Sequence, residues 1–328
     1  MSQEDSSSQR RTPAWKGWLA GAFAAFALVS CDTAPETPDL PAPVDSVRTD
    51  TLDAVSVPLP APPRWRIEEA GPFLGVAGVT TRTAILVLPE YADSTIHELA
   101  ARDMSRMAPL PVELFARRGK VSNATLVDAQ RMGTNACVEW PRAEVRIPDG
   151  AVAESWTVAF AAGYATAIPL DSIESLASAD SARLAAEVAR LVSMAPGDTS
   201  SALEGLPYVV RGARRFQLDD NTMAIAALAG RRLASEATPI AEHVFIVAER
   251  ATDSPRATWR LAHSERAIGT EETVETMDVL AAVRLGDARR PSLIVSRDYG
   301  TSRISYSLLE RVSPGRWTVR WGSAAVGC

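Results

Sequence analysis

From about Leu206 onward helical periodicity largely disappears from the chain. In its place come LPYVVRG, TMAIAALAGRRLAS, HVFIVAER, ATWRLAHSE, DVLAAVRLG, SLIVSRD, RISYSLLERV and RWTVRW, short apolar or alternating segments separated by turn residues. Segments of that length, punctuated in that way, are strands joined by tight connections, so residues 206–328 should be mostly β. Two pieces look alike: HVFIVAERATDSPRATWRLAHSER and PSLIVSRDYGTSRISYSLLER each carry an apolar strand, a polar turn and an alternating strand with Trp259 or Tyr306. Two copies are too few for a solenoid or propeller, so the repetition is read as the ordinary grammar of sheets.

The preceding stretch, 65–205, mixes both periods. TAILVLP reads as a strand, and STIHELAARDMSRM as a helix with Ile96, Leu99, Ala100, Met104 and Met107 on one stripe, opened by a Thr95–Glu98 capping box. PVELFARRGKVSNATLV reads as two strands joined at RRGK, and CVEWPRAEVRI and SWTVAFAAGYATAIPL continue the β pattern. A second helix is expected over DSARLAAEVARLVSM, capped by Asp180, with Leu184, Val188, Leu191 and Val192 at helical spacing and Pro196 and Gly197 ending it. The expected fold class is therefore α+β: mostly antiparallel β, with two or so packed helices in the N-terminal half and an all-β C-terminal region (206–328) packed on the α+β region (65–205).

A chain of 328 residues with 46% hydrophobic content has room for one or two folded domains. Net charge is −6 and well mixed, and two lysines (Lys16, Lys120) stand against 32 arginines, a codon-bias pattern without a basic recognition surface. Nucleic acid is not expected as a partner. No eighteen-residue apolar run occurs, so any membrane attachment must come by a route other than a spanning helix.

That route is visible in residues 1–30. Arg10, Arg11 and Lys16 precede the uncharged GWLAGAFAAFALVS, the layout of a signal peptide, although Glu4 and Asp5 depart from the usual basic start. At its end, LVSC (Leu28 to Cys31) resembles the lipobox of bacterial lipoproteins. The resemblance implies acylation of the Cys31 thiol, cleavage before Cys31, and a location on the bacterial cell envelope facing the periplasm or exterior. Residues 31–64 are proline-rich and hold no aromatic residue, so they should stay disordered as a tether. In its stiff limit such a chain reaches roughly 100 Å from the bilayer.

DVLAAVRLGDARRPSLIVSR also resembles, weakly, the strand, loop and strand of FG-GAP-type repeats, whose acidic loop binds calcium in many members. Here Asp287 is followed by Ala288, Arg289 and Arg290. Hard cations need several oxygen ligands, so the resemblance implies the topology and not the calcium site.

With Cys31 acylated, Cys137 and Cys328 remain, and an exported protein can oxidise them to a disulfide closing a loop of about 190 residues, worth at most about 5 kcal/mol on the chain-entropy model. The alternative is two unrelated buried cysteines. A G-x-S-x-G elbow, an H-E-x-x-H pair, an S-x-x-K motif and a phosphate-binding glycine loop are absent from the sequence. His97 has Glu98 beside it but Ala101 where a second zinc ligand would stand. His243 and His263 fall in or near strands. Glu242 and Glu265 are the acids nearest them, but neighbours along a strand diverge to opposite faces. Glu271, Glu272, Glu275 and Asp278 read as solvated turn acids, and Trp65, Trp317 and Trp321 as fillers at the ends of a β core. No catalytic, cofactor-binding or metal-ligating residue is assigned.

Two functional classes follow. The favoured one is a membrane-anchored envelope lipoprotein with a non-catalytic binding, assembly or scaffolding role, whose partners are the lipid bilayer, through acylated Cys31, and an envelope protein. The alternative is a lipid-tethered extracytoplasmic hydrolase whose active residues come from distant loops.

Overall fold

The structure, a computed structural model, describes residues 74–78, 80–87, 109–130, 140–148, 155–234, 239–254, 256–300 and 302–327. Cys31, Cys137 and Cys328, the signal and tether segments, Trp65, and His97 with the helix expected around it all lie outside the described residues. No described helix is long and apolar enough to cross a membrane.

Six antiparallel strands close into a barrel in the order β1 (Leu74–Ala77), β2 (Thr83–Val87), β5 (Arg142–Arg146), β4 (Gly119–Gln130), β3 (Leu110–Ala116) and β6 (Val158–Ala161). Cross-strand partners point to one face, so the register separates lumen from wall. Gly75 pairs with Leu86 and Ala159, Leu114 with Ala159, Val112 with Ala124, Leu126 with Val145, and Ala84 with Ala143. These small and branched side chains fill the lumen. Phe115, Val158 and Phe160 lie on the wall, with the two phenylalanine rings edge-to-face at 5.7 Å.

Two five-stranded antiparallel sheets follow. The first has the order β12 (Arg260–Thr270), β11 (Ile240–Ala251), β10 (Thr222–Leu233), β9 (Val209–Asp219) and β8 (Asp171–Ser172). The second has the order β16 (Arg316–Gly322), β15 (Ile304–Ser313), β14 (Arg290–Asp298), β13 (Thr276–Leu285) and β7 (Ala165–Ile168). Residues 165–172 therefore pass from the edge of one sheet to the edge of the other.

Alternation along each strand stacks the layers. Ala224, Ala226, Phe245 and Val247 of the first sheet meet Val279, Leu293, Val295 and Leu309 of the second. The opposite face of the first sheet, with Ile225, Ala227, Val244 and Ile246, is covered by α1 (Ser178–Ser193) through Val188, Leu191 and Val192. The outer face of the second sheet, with Ala281, Val283, Ile294 and Leu308, shares one apolar cluster with the barrel wall. Helix, sheet, sheet and barrel thus form successive layers, and the central strands read as unbroken apolar runs because both their faces are covered.

The expected α+β class with two or so packed helices is corrected. The described residues are mostly antiparallel β and contain one α-helix and two single 3-10 turns. The physical reason lies in the barrel: a sheet closed on itself buries its own apolar face and needs no covering helix. The helix read over 180–194 forms, but it starts at Ser178 with Ala177 at the cap position and no side-chain cap bond. Asp180 sits in the first turn, where its charge opposes the helix dipole.

Candidate functional site

Glu242 is a carboxylate near the start of β11, just before the apolar run VFIVA, and it is fully buried. A buried charge requires partners, and the sheet supplies them. Arg231 is its cross-strand neighbour on β10 and donates through Nε to Oε2; Arg266 on β12 donates through Nη1 to Oε1. Tyr208, just before β9, donates its hydroxyl to Oε2 at 3.0 Å, accepts from Arg266 Nη1 at 2.9 Å, and stacks its ring 4.6 Å below the Arg231 guanidinium. Arg266 Nη2 reaches the Ala195 carbonyl at 2.9 Å, beyond the last turn of α1.

Burial by itself would raise the Glu242 carboxyl. Hydrogen bonds from Arg231, Arg266 and Tyr208 outweigh it and hold the group below the usual carboxylate range. Burial also pushes the Tyr208 phenol up, so Tyr208 is a neutral donor at neutral pH. The cluster is therefore two cations and one anion.

Above it lies a cavity of about 760 Å³ between the C-terminal half of α1, the 195–207 segment and the two arginines. The segment turns at Gly197, whose φ of +120° suits glycine. A Cβ there would stand 3.4 Å from Arg266 Nε.

Two other charge groups, the first half-buried and the second built on the buried Glu249, bridge the sheets. Glu265 and His263 on β12, Arg297 on β14 and Glu275 before β13 form a chain: His263 Nε2 lies 2.7 Å from Glu265 Oε1, and Arg297 bonds both carboxylates. Glu249 on β11 is held by Arg311 and Trp317 of the second sheet.

Strand alternation does separate Glu242 from His243: His243 Nδ1 sits 3.0 Å from the Glu275 carbonyl, facing away from Glu242's partners. His263 and Glu265 are two apart, however, so the same alternation puts them on one face. The acids of 271–278 do not converge. Glu271 pairs with Arg232 at 2.6 Å, Glu275 with Arg297 at 2.8 Å, and Asp278 with Arg117. No three His, Cys, Asp or Glu side chains gather into a metal-binding group among the described residues, and Asp287 is exposed in the β13–β14 turn. Trp317 packs edge-on against Phe216 between the sheets, and Trp321 packs beside the barrel cluster. Sequence reasoning missed Arg231, Arg266 and Tyr208; the signal was Glu242 itself, a charge amid IAEHVFIVA.

A second cleft of about 580 Å³ opens between the sheets, with Arg211, Arg214, Phe245, Asp298 and Tyr306 on its walls. Burial pushes the Tyr306 phenol up to about 12. Its polar groups do not converge on one buried point as those around Glu242 do. No protein-family model, curated protein or solved structure matches the chain.

Proposed function

We propose that this chain is a bacterial envelope lipoprotein, acylated at Cys31 and acting outside the cytoplasm as a non-catalytic binding or assembly module. The observation that carries the reading is LVSC at the end of an uncharged apolar segment, followed by a proline-rich stretch up to residue 64. A lipid on Cys31 holds the layered β body near the bilayer, and the tether lets it search for a partner in the envelope. Convergent polar groups beneath a cavity are the usual form of a small-ligand site, which supports binding as the role of the folded part. In the same compartment Cys137 and Cys328 are free to form the disulfide that their number suggests.

The test is metabolic labelling with an alkyne-bearing palmitate in a bacterium that processes lipoproteins. The full chain takes up label, and Cys31→Ser does not. An unlabelled wild-type chain, or equal labelling of the variant, contradicts the reading.

A further inference from the structure

We infer that the cleft of about 580 Å³ along the free edge of β13 binds a short apolar peptide with both termini free, one of whose residues pairs with the Met277 backbone. The inference deepens the binding role proposed above and rests on it.

Three features carry it. The first is an open rung. Strand β7 pairs with β13 only from Ala282 to Leu285, so residues 276–280 have no strand on that side. Side chains meet the neighbouring carbonyls there: His243 Nδ1 lies 3.0 Å from that of Glu275, Arg117 Nε 3.0 Å from that of Val279, and Thr157 Oγ1 2.8 Å from that of Leu280. Strand alternation turns the Met277 N–H and C=O the same way as those of Glu275 and Val279, away from β14. They meet no partner among the described residues, and Met277 lines the cleft. A donor and an acceptor side by side on a strand edge are what another peptide unit matches.

The second is charge on separate walls. Arg211 and Arg214 stand on the β9 wall, and neither has an ion pair or side-chain hydrogen bond among the described residues. Asp298 stands on the β14 wall and uses only Oδ1, which accepts from the Gly300 N–H at 2.8 Å. Asp278, the other acid of the cleft, is occupied by Arg117. Cations on one wall and an anion on the other fit a molecule charged oppositely at its two ends, its carboxylate on the arginines and its ammonium on Asp298.

The third is the lining between them. Leu228, Phe245, Val279 and the 37% exposed Ile304 offer an apolar side chain somewhere to pack. Tyr306 is 6% exposed, lines the same cleft, and its hydroxyl has no hydrogen-bond partner among the described residues, which leaves it for a second peptide group.

The experiment is calorimetric titration of the full chain, purified from membranes, with trileucine and with the same peptide acetylated and amidated at its ends. Saturable binding of the free peptide is expected, and none of the blocked one. Arg211→Gln with Arg214→Gln should weaken binding by about tenfold or more. Gly212 faces Leu228 across the β9–β10 ladder, and a Cβ there meets nothing within 4 Å. Gly212→Phe therefore fills the cleft without altering a charge, and should abolish binding while the urea midpoint shows the variant folded. Absence of saturable trileucine binding to the folded wild type overturns the inference. So does equal binding of the blocked peptide, or affinity unchanged in Gly212→Phe. The intact mass of the same preparation reports acylation separately, so a failed anchor and a failed cleft are told apart.

Discussion

Glu249 and Arg311 meet through two parallel hydrogen bonds, Nε to Oε1 at 2.8 Å and Nη2 to Oε2 at 2.8 Å, across the gap between the two C-terminal sheets. The same carboxylate accepts from Trp317 Nε1 at 2.7 Å and from the Gly315 backbone N–H at 2.9 Å, in the Pro-Gly turn joining β15 and β16. It is 7% exposed, and so acts as a polar bolt between layers that otherwise meet largely through apolar side chains. Glu249→Ala leaves the Trp317 N–H without its partner and the Arg311 guanidinium with only the half-exposed Asp219, 3.5 Å away. The expected loss is about 3–5 kcal/mol, read by urea unfolding. Glu249→Leu with Arg311→Met should cost less than the single change, because no buried charge is left over.

Acid should destabilise the fold through Glu242 and Glu265. Burial acts to raise both carboxyls; hydrogen bonds from Arg231, Arg266 and Tyr208 to the first, and from His263 together with the Arg297 charge to the second, hold both below the ordinary 4.5. A depressed carboxyl binds fewer protons folded than unfolded. Its contribution is therefore complete above pH 4.5 and is lost as pH falls through the folded value. The urea midpoint should hold steady from neutral pH down to about 5 and then fall. Glu242→Gln should lower the midpoint at pH 7 and make the acid decline shallower.

Helix α1 is attached by one stripe. Leu191 and Val192 are almost wholly buried against Ile225, Ala227 and Val244. Leu191→Ala removes that contact and leaves a void, for an expected cost of about 2–5 kcal/mol in thermal or urea unfolding. The exposed Arg183, 3.9 Å from Asp180, should change stability by well under about 1 kcal/mol when replaced by Ala.

Gly230 faces His243 across the β10–β11 ladder, and a Cβ there would come within 2.5 Å of the ring. Gly230→Val must push the ring out and break its 3.0 Å contact with the Glu275 carbonyl. The expected destabilisation is about 1–3 kcal/mol, accompanied by a moved His243 ring signal in NMR.

Strands such as TMAIAALAGRRL and HVFIVAER were legible because both faces are buried and the runs end at charges. Helix α1 was legible because Val188, Leu191 and Val192 repeat at helical spacing. Closure of the barrel was not: the pairing of β6 with both β1 and β3 joins residues far apart in sequence, and no local pattern encodes it. The pocket was half legible. Glu242 announced a buried charge, but Arg231 becomes its partner only through the β10–β11 register, and Arg266 only through the third strand. The pair His263 and Glu265 lay in plain view at a spacing of two, which strand geometry places on one face.

The most direct test of the lipoprotein account is the non-reducing intact mass of the full chain extracted from membranes. The account predicts a chain beginning at Cys31 and heavier by a diacylglyceryl group, with or without a further acyl chain. It also predicts a mass about 2 Da below the reduced form, from the Cys137–Cys328 bridge. A chain that keeps residues 1–30, carries no lipid and is fully reduced would contradict it.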